Sequence, residues 1–72
     1  MEFEVNSCYT RRGQMVLDAY PQLEKYTHRL EKGELYITIK SLDELIEIQK
    51  EINENLILDI DGELVIYDGY IE

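Results

Sequence analysis

Few side chains in this sequence could carry covalent or acid–base chemistry. One thiol, Cys8, and one imidazole, His28, are the sole pair from which a nucleophile and its base could be drawn. A nucleophile needs its base within hydrogen-bond reach and usually a third group to orient that base. The two residues lie in separate segments with no local signature around either, so a structural thiol and a surface imidazole are expected. A structural zinc site asks for four Cys or His ligands, and the chain holds two. Asp59, Asp61 and Glu63 alternate as cation ligands can, but the spacing of the twelve-residue calcium loop is absent. Gly13, Gly33, Gly62 and Gly69 never cluster into a phosphate loop. No catalytic residue, cofactor or metal is therefore expected, and the chain reads as a binding protein, not an enzyme.

Charge is the feature furthest above background. The 72 residues carry a net charge of −9. Residues 1–40 hold six acids and six bases; residues 41–72 hold ten acids and one base, Lys50, so the whole excess belongs to the second half. Such a surface repels nucleic-acid backbones and anionic lipid, and its natural partner is a basic protein surface. Glu44, Glu47 and Glu51 recur at i, i+3 and i+7, with Asp43 beside them and Glu54 continuing the series. On a helix they repeat about every 4.5 to 6 Å, roughly the scale on which a nucleic-acid strand repeats its phosphates. Lys50 is the one nearby base in the sequence, and unanswered like charges cost helix stability. Asp59, Asp61, Glu63, Asp68 and Glu72 carry the excess onward.

The elements that must position these residues follow from hydrophobic periodicity. Residues 2–6 alternate acid and apolar, as does a half-buried strand with Phe3 and Val5 on one face. Met15, Val16, Ala19 and Tyr20 have helical spacing, Pro21 interrupts it, and Leu23, Tyr26 and Leu30 resume it. This predicts helical structure over 12–32, kinked or restarted at Pro21 and closed by Gly33. Leu35, Ile37 and Ile39 alternate with polar residues as a strand with one apolar face. Ser41 to Glu44 fits the S-x-x-E capping box, and Leu42, Leu45, Ile46, Gln49 and Ile52 mark the inner face of a helix over 42–53. Asp61-Gly62 between two apolar runs predicts a two-residue type I′ hairpin that pairs Leu58 with Val65 and Leu56 with Tyr67. Ile57, Leu64 and Ile66 then fall on the second face, which would serve as a binding or homodimer surface. Together these elements make one α+β domain, residues 1–72, with a small, mainly antiparallel sheet packed against one long helix and a shorter, proline-interrupted helical region.

Six tyrosines and no tryptophan form an unusual aromatic set, and tyrosine favours interface hot spots. Tyr67 and Tyr70, flanking Asp68, would make an acidic-aromatic edge, while Tyr20, Tyr26 and Tyr36 are expected in the core or at its rim. The candidate protein-binding set is Asp43, Glu44, Glu47, Glu51, Glu54, Asp59, Tyr67, Asp68 and Tyr70. Whether Arg11, Arg12 and Arg29 converge on a phosphate-type ligand is left open. No run approaches the roughly 18 apolar residues of a membrane-spanning helix, and MEFEV carries acids where a secretory leader carries bases. The expected location is the cytoplasm.

The segment LYITIKSLDELIEIQKEINENLILDI followed by ELVIYDGYIE resembles the strand, helix, hairpin pattern of small acidic phage proteins of the anti-CRISPR type. That resemblance implies stoichiometric inhibition of an RNA-guided nuclease in the host cytoplasm, by covering a basic nucleic-acid site or blocking a conformational step. It transfers no functional residue. The acidic stripe is compatible with such mimicry. An immunity protein or antitoxin neutralising a basic toxin, or a homo-oligomeric assembly module, are the alternatives.

Overall fold

The computed structural model of the chain describes residues 1–53, 55–59 and 61–67. β1 (Glu2–Ser7) is followed by α1 (Gly13–Ala19), a 3-10 helix (Pro21–Lys25), β2 (His28–Glu31), β3 (Glu34–Thr38), α2 (Leu42–Ile52), β4 (Asn55–Leu58) and β5 (Glu63–Tyr67). The strands form one sheet in the order β2-β3-β1-β5-β4, and the fold is α+β. All neighbours run antiparallel except β1 and β5, which are parallel.

Register assigns the two sheet faces. Phe3 pairs with Ile37, Val5 with Leu35 and with Leu64, so these side chains share one face. They are buried with Ile66, and with Val16, Leu17, Leu23, Ile48 and Ile52 from the helices, in one apolar core. The other face is mainly polar, with Ile57 and Val65 toward its β4–β5 edge. It carries a row of cross-strand partners, Arg29, Tyr36, Glu4 and Glu63, one from each of four adjacent strands.

The structure departs from the sequence expectations in three places, each for a local physical reason. Helical structure ends at Lys25, and residues 28–31 are a strand. Lys32 (φ 53°) and Gly33 (φ 83°) both take left-handed backbone, which a two-residue type I′ turn requires, so Gly33 turns a β2–β3 hairpin and does not cap a helix. The proline stands at the first turn of the 3-10 helix, where its missing N–H costs nothing.

In the β4–β5 hairpin, Gly62 (φ 87°) takes left-handed backbone, and Leu58 pairs with Leu64 and not with Val65, so the two-residue type I′ turn does not form there. The Gly62 N–H donates to the Asp59 carbonyl at 3.0 Å, and the Asp59 N–H to the Glu63 carbonyl at 2.7 Å. The result is the longer loop in which a turn is followed by a left-handed glycine. Pairing slips by one residue, to Leu58 with Leu64 and Leu56 with Ile66. A one-residue slip exchanges the faces of one strand relative to the other. Leu64 and Ile66 thus join Leu56 and Leu58 on the core side, 1 % and 0 % exposed, and the expected homodimer face of Ile57, Leu64 and Ile66 does not exist.

The third departure is the rotation of α2. Ser41 caps it: its hydroxyl accepts from the Glu44 N–H at 3.4 Å, while the Glu44 carboxylate accepts from the Lys40 N–H at 2.8 Å, one residue earlier than a standard capping box. Asn53, in left-handed backbone (φ 59°), ends the helix. The fully buried side chains are Ile48 and Ile52, with Leu45 partly buried beside them. Leu42 and Ile46, expected on the inner face, are 69 % and 47 % exposed. Apolar residues cover a wider arc of α2 than the sheet can bury.

Candidate functional site

The acidic stripe forms, and it has a neighbour that linear spacing did not reveal. Asp43 and Glu47 are exposed, and Glu44 and Glu51 are half-buried. The 3-10 helix brings Lys25 against them: its ammonium pairs with Glu47 at 3.7 Å and with Glu51 at closer range. Glu51 and Glu47 raise the Lys25 pKa above its ordinary value, the hydrogen bond to Glu51 contributing most. Lys25 also lies 5.4 Å from the centre of the Tyr26 ring. The expectation that Lys50 alone answers these glutamates is therefore corrected. Lys25 comes from residues 1–40, whose charges cancel in sequence but not in space.

Tyr26 lies beneath this patch, 7 % exposed, and its hydroxyl is buried without a hydrogen-bond partner. Burial first, then the nearby carboxylates of Glu47, Glu51 and Glu44, push its pKa well above the ordinary tyrosine value. At i, i+3 and i+7, Glu44, Glu47 and Glu51 share one side of α2, so the stripe is a patch there.

Beside the patch, Leu45, Ile46 and Gln49 of α2 face Leu56 and Leu58 of β4 and Leu64 of β5 across an apolar groove of about 260 Å³. Asp43, Glu44, Ile46, Glu47 and Lys50 line the adjoining depression, so Ile46 is the ridge between acidic and apolar surfaces. Asp59 alternates with Leu58 and is bonded opposite Glu63, so it falls on the polar face of the sheet and not beside the α2 patch.

The remaining candidates disperse. Tyr67 pairs with Asn55 on the opposite face of the sheet, away from the α2 patch. Tyr36 is likewise on that polar face and not in the core: the Arg29 guanidinium stacks 4.4 Å from its ring centre, and its hydroxyl donates to Glu34 at 2.9 Å. Glu54, Asp68 and Tyr70 lie outside the described residues. Cys8 and His28 do not meet, because His28 is level with Phe3 across β3 while Cys8 stands five residues further on, just past the end of β1, about 17 Å away at strand rise.

The arginines do not converge. Arg29 pairs with Glu2 at 2.8 Å and with Glu31, and Arg11 bridges Glu4 and Glu63 at 3.7 and 3.1 Å. Asn6, buried between Glu4 and Glu63, donates to both carboxylates. This polar cluster was invisible in the sequence because it depends on β5 lying beside β1, a contact across 57 residues. Among the described residues no group of three or more Cys, His, Asp or Glu could hold a metal ion, and no helix is long and apolar enough to cross a membrane. Comparison with protein-family models, with curated proteins and with solved structures finds no match to this chain.

Proposed function

We propose that this chain is a stoichiometric protein inhibitor that lays the acidic face of α2 over a basic, nucleic-acid-handling surface of a host enzyme. The observation that carries it is the clustering of Asp43, Glu44, Glu47 and Glu51 on one helix, with Lys25 and Lys50 offsetting only part of their charge. A net charge of −9 concentrated in one half of the chain steers such a surface toward a basic partner. The resemblance to small acidic phage proteins favours an RNA-guided nuclease as the target class.

The test is target-DNA cleavage by a panel of purified RNA-guided nucleases titrated with this protein. Stoichiometric loss of cleavage is expected for at least one member, relieved by added salt and by the combined Asp43→Asn, Glu47→Gln and Glu51→Gln substitutions. Cleavage unchanged across the panel refutes the nuclease as target. Inhibition unmoved by salt and by the triple substitution refutes the acidic face as the means.

A further inference from the structure

We infer that the apolar groove between α2 and the β4–β5 hairpin is the docking site for a basic amphipathic helix of the partner protein. The inference rests on the reading of the chain as a binder of basic protein surfaces, and it names the structural element that such a partner presents.

The groove exists because α2 carries more apolar surface than its own sheet covers. Ile48, Ile52 and Leu45 point into the fold. At about 100° per residue, Leu42 and Ile46 stand roughly 90° and 130° around the helix from the centre of that buried stripe. Ile46 borders the trough floored by Leu45, Leu56 and Leu64, with Leu58, itself 47 % exposed, on its far wall, and Leu42 lies one turn before Ile46 on the same side of the helix. β4 is an edge strand, so no further strand of the described sheet shields this wall.

Dimensions and charge select the occupant. The β4 wall from Leu56 to Leu58 spans two residue steps, about 7 Å at strand rise. The α2 residues lining the groove run from Leu45 to Gln49, about 6 Å at helical rise, and exposed Leu42, one turn before Ile46, extends the same side of the helix to about 10.5 Å. Two turns of helix fit this length, with apolar anchors at i, i+4 and i+7, the pattern by which amphipathic helices occupy grooves. Along the outer side of α2 the groove is flanked by Asp43 and Glu47 with one base, Lys50. Lysine or arginine on the polar side of the incoming helix complements that rim. A second copy of this chain is the poorer occupant, since each copy brings a net charge of −9.

The experiment titrates the isotopically labelled full chain with a synthetic helix-forming peptide of leucine, lysine and alanine. Its leucines stand at i, i+4 and i+7, and an isomer of the same composition disperses them around the helix. The expected result is NMR shifts concentrated on Ile46, Leu56, Leu58 and Leu64, and affinity at least tenfold weaker for the isomer. Ile46→Lys and Leu58→Lys, at two exposed positions on different elements, are each expected to weaken binding at least tenfold while the spectrum stays dispersed. Equal binding of both peptides, no binding of either, or full affinity in both variants overturns the groove. A peptide bound as an extended strand, or a dimer of the chain by light scattering that buries these residues, overturns the helical occupant. Groove-dependent binding indifferent to salt and to Asp43→Asn with Glu47→Gln would leave the groove standing and sink the acidic-face reading instead.

Discussion

Replacing Tyr26 with phenylalanine should stabilise this protein, although it deletes a polar group beside three carboxylates. The Tyr26 hydroxyl is buried and has no hydrogen-bond partner. A buried donor left unpaired costs about 1–3 kcal/mol, and Tyr26→Phe keeps the ring while removing that cost. Some of the penalty is relieved because Glu47 is near enough to act on the phenol, so the lower end, about 1 kcal/mol, is the expected gain. For a domain of this size that corresponds to roughly 4–8 °C in thermal midpoint.

The pH dependence sharpens the test. Native Tyr26 has its pKa raised above the ordinary value of 10.0, so the native state holds the proton more tightly than the unfolded chain. The stability linked to this proton is fully present below pH 10 and drains away as the pH rises beyond it. Phenylalanine has no proton to lose, so the advantage of Tyr26→Phe should widen above pH 10. Urea unfolding followed by circular dichroism, at neutral pH and again between about pH 10 and 11, measures both effects. A variant less stable than the parent by about 1 kcal/mol or more at neutral pH would mean that the hydroxyl donates to Glu47 in solution, and the picture of a stranded phenol would be wrong.

Two further outcomes follow from the packing and from the polar face. A Cβ at Gly13 would sit 2.5 Å from the Leu35 backbone nitrogen and 2.8 Å from the Glu34 carbonyl carbon, neither of which can swing aside. Gly13→Ala should therefore cost about 1–3 kcal/mol in urea unfolding, and a cost below about 0.5 kcal/mol would show that α1 does not rest on β3 so closely. Hydrogen bonds from the Arg29 guanidinium hold the Glu2 carboxyl below its usual range. A depressed native pKa gives stability that is present above the ordinary value of 4.5 and lost as the pH falls through the native one. Arg29→Gln should return Glu2 to the ordinary carboxylate range in an NMR titration and narrow the stability gap to the parent at acid pH; an unmoved Glu2 would show that the pair does not form.

Short-range rules read much of this chain correctly. The alternation in Leu35, Ile37 and the S-x-x-E start of α2 are local, because side-chain periodicity and helix capping depend on residues within a few positions. The segregation of charge was equally visible, since counting acids needs no coordinates. What the letters could not decide were matters of partnership. Asp61-Gly62 looked like a type I′ turn, yet the register of β4 on β5 was settled by the hairpin's packing, and the one-residue slip sent Leu64 and Ile66 inward. Residues 28–31 looked like a continuation of a helix until Lys32 and Gly33 turned them back as a strand on β3. Ile48, Ile52 and Leu45 won the inner side of α2 over Leu42 and Ile46 because the sheet covers only part of a broad apolar arc, which no periodicity count can apportion. Lys25 meets Glu47 and Glu51 across more than twenty residues, and Glu4 meets Glu63 through a parallel pairing of the first strand with the last. Local interactions specify the elements. Which faces touch, and therefore where the acidic patch ends and the open groove begins, depends on contacts distant in sequence, and those are set when the elements pack together.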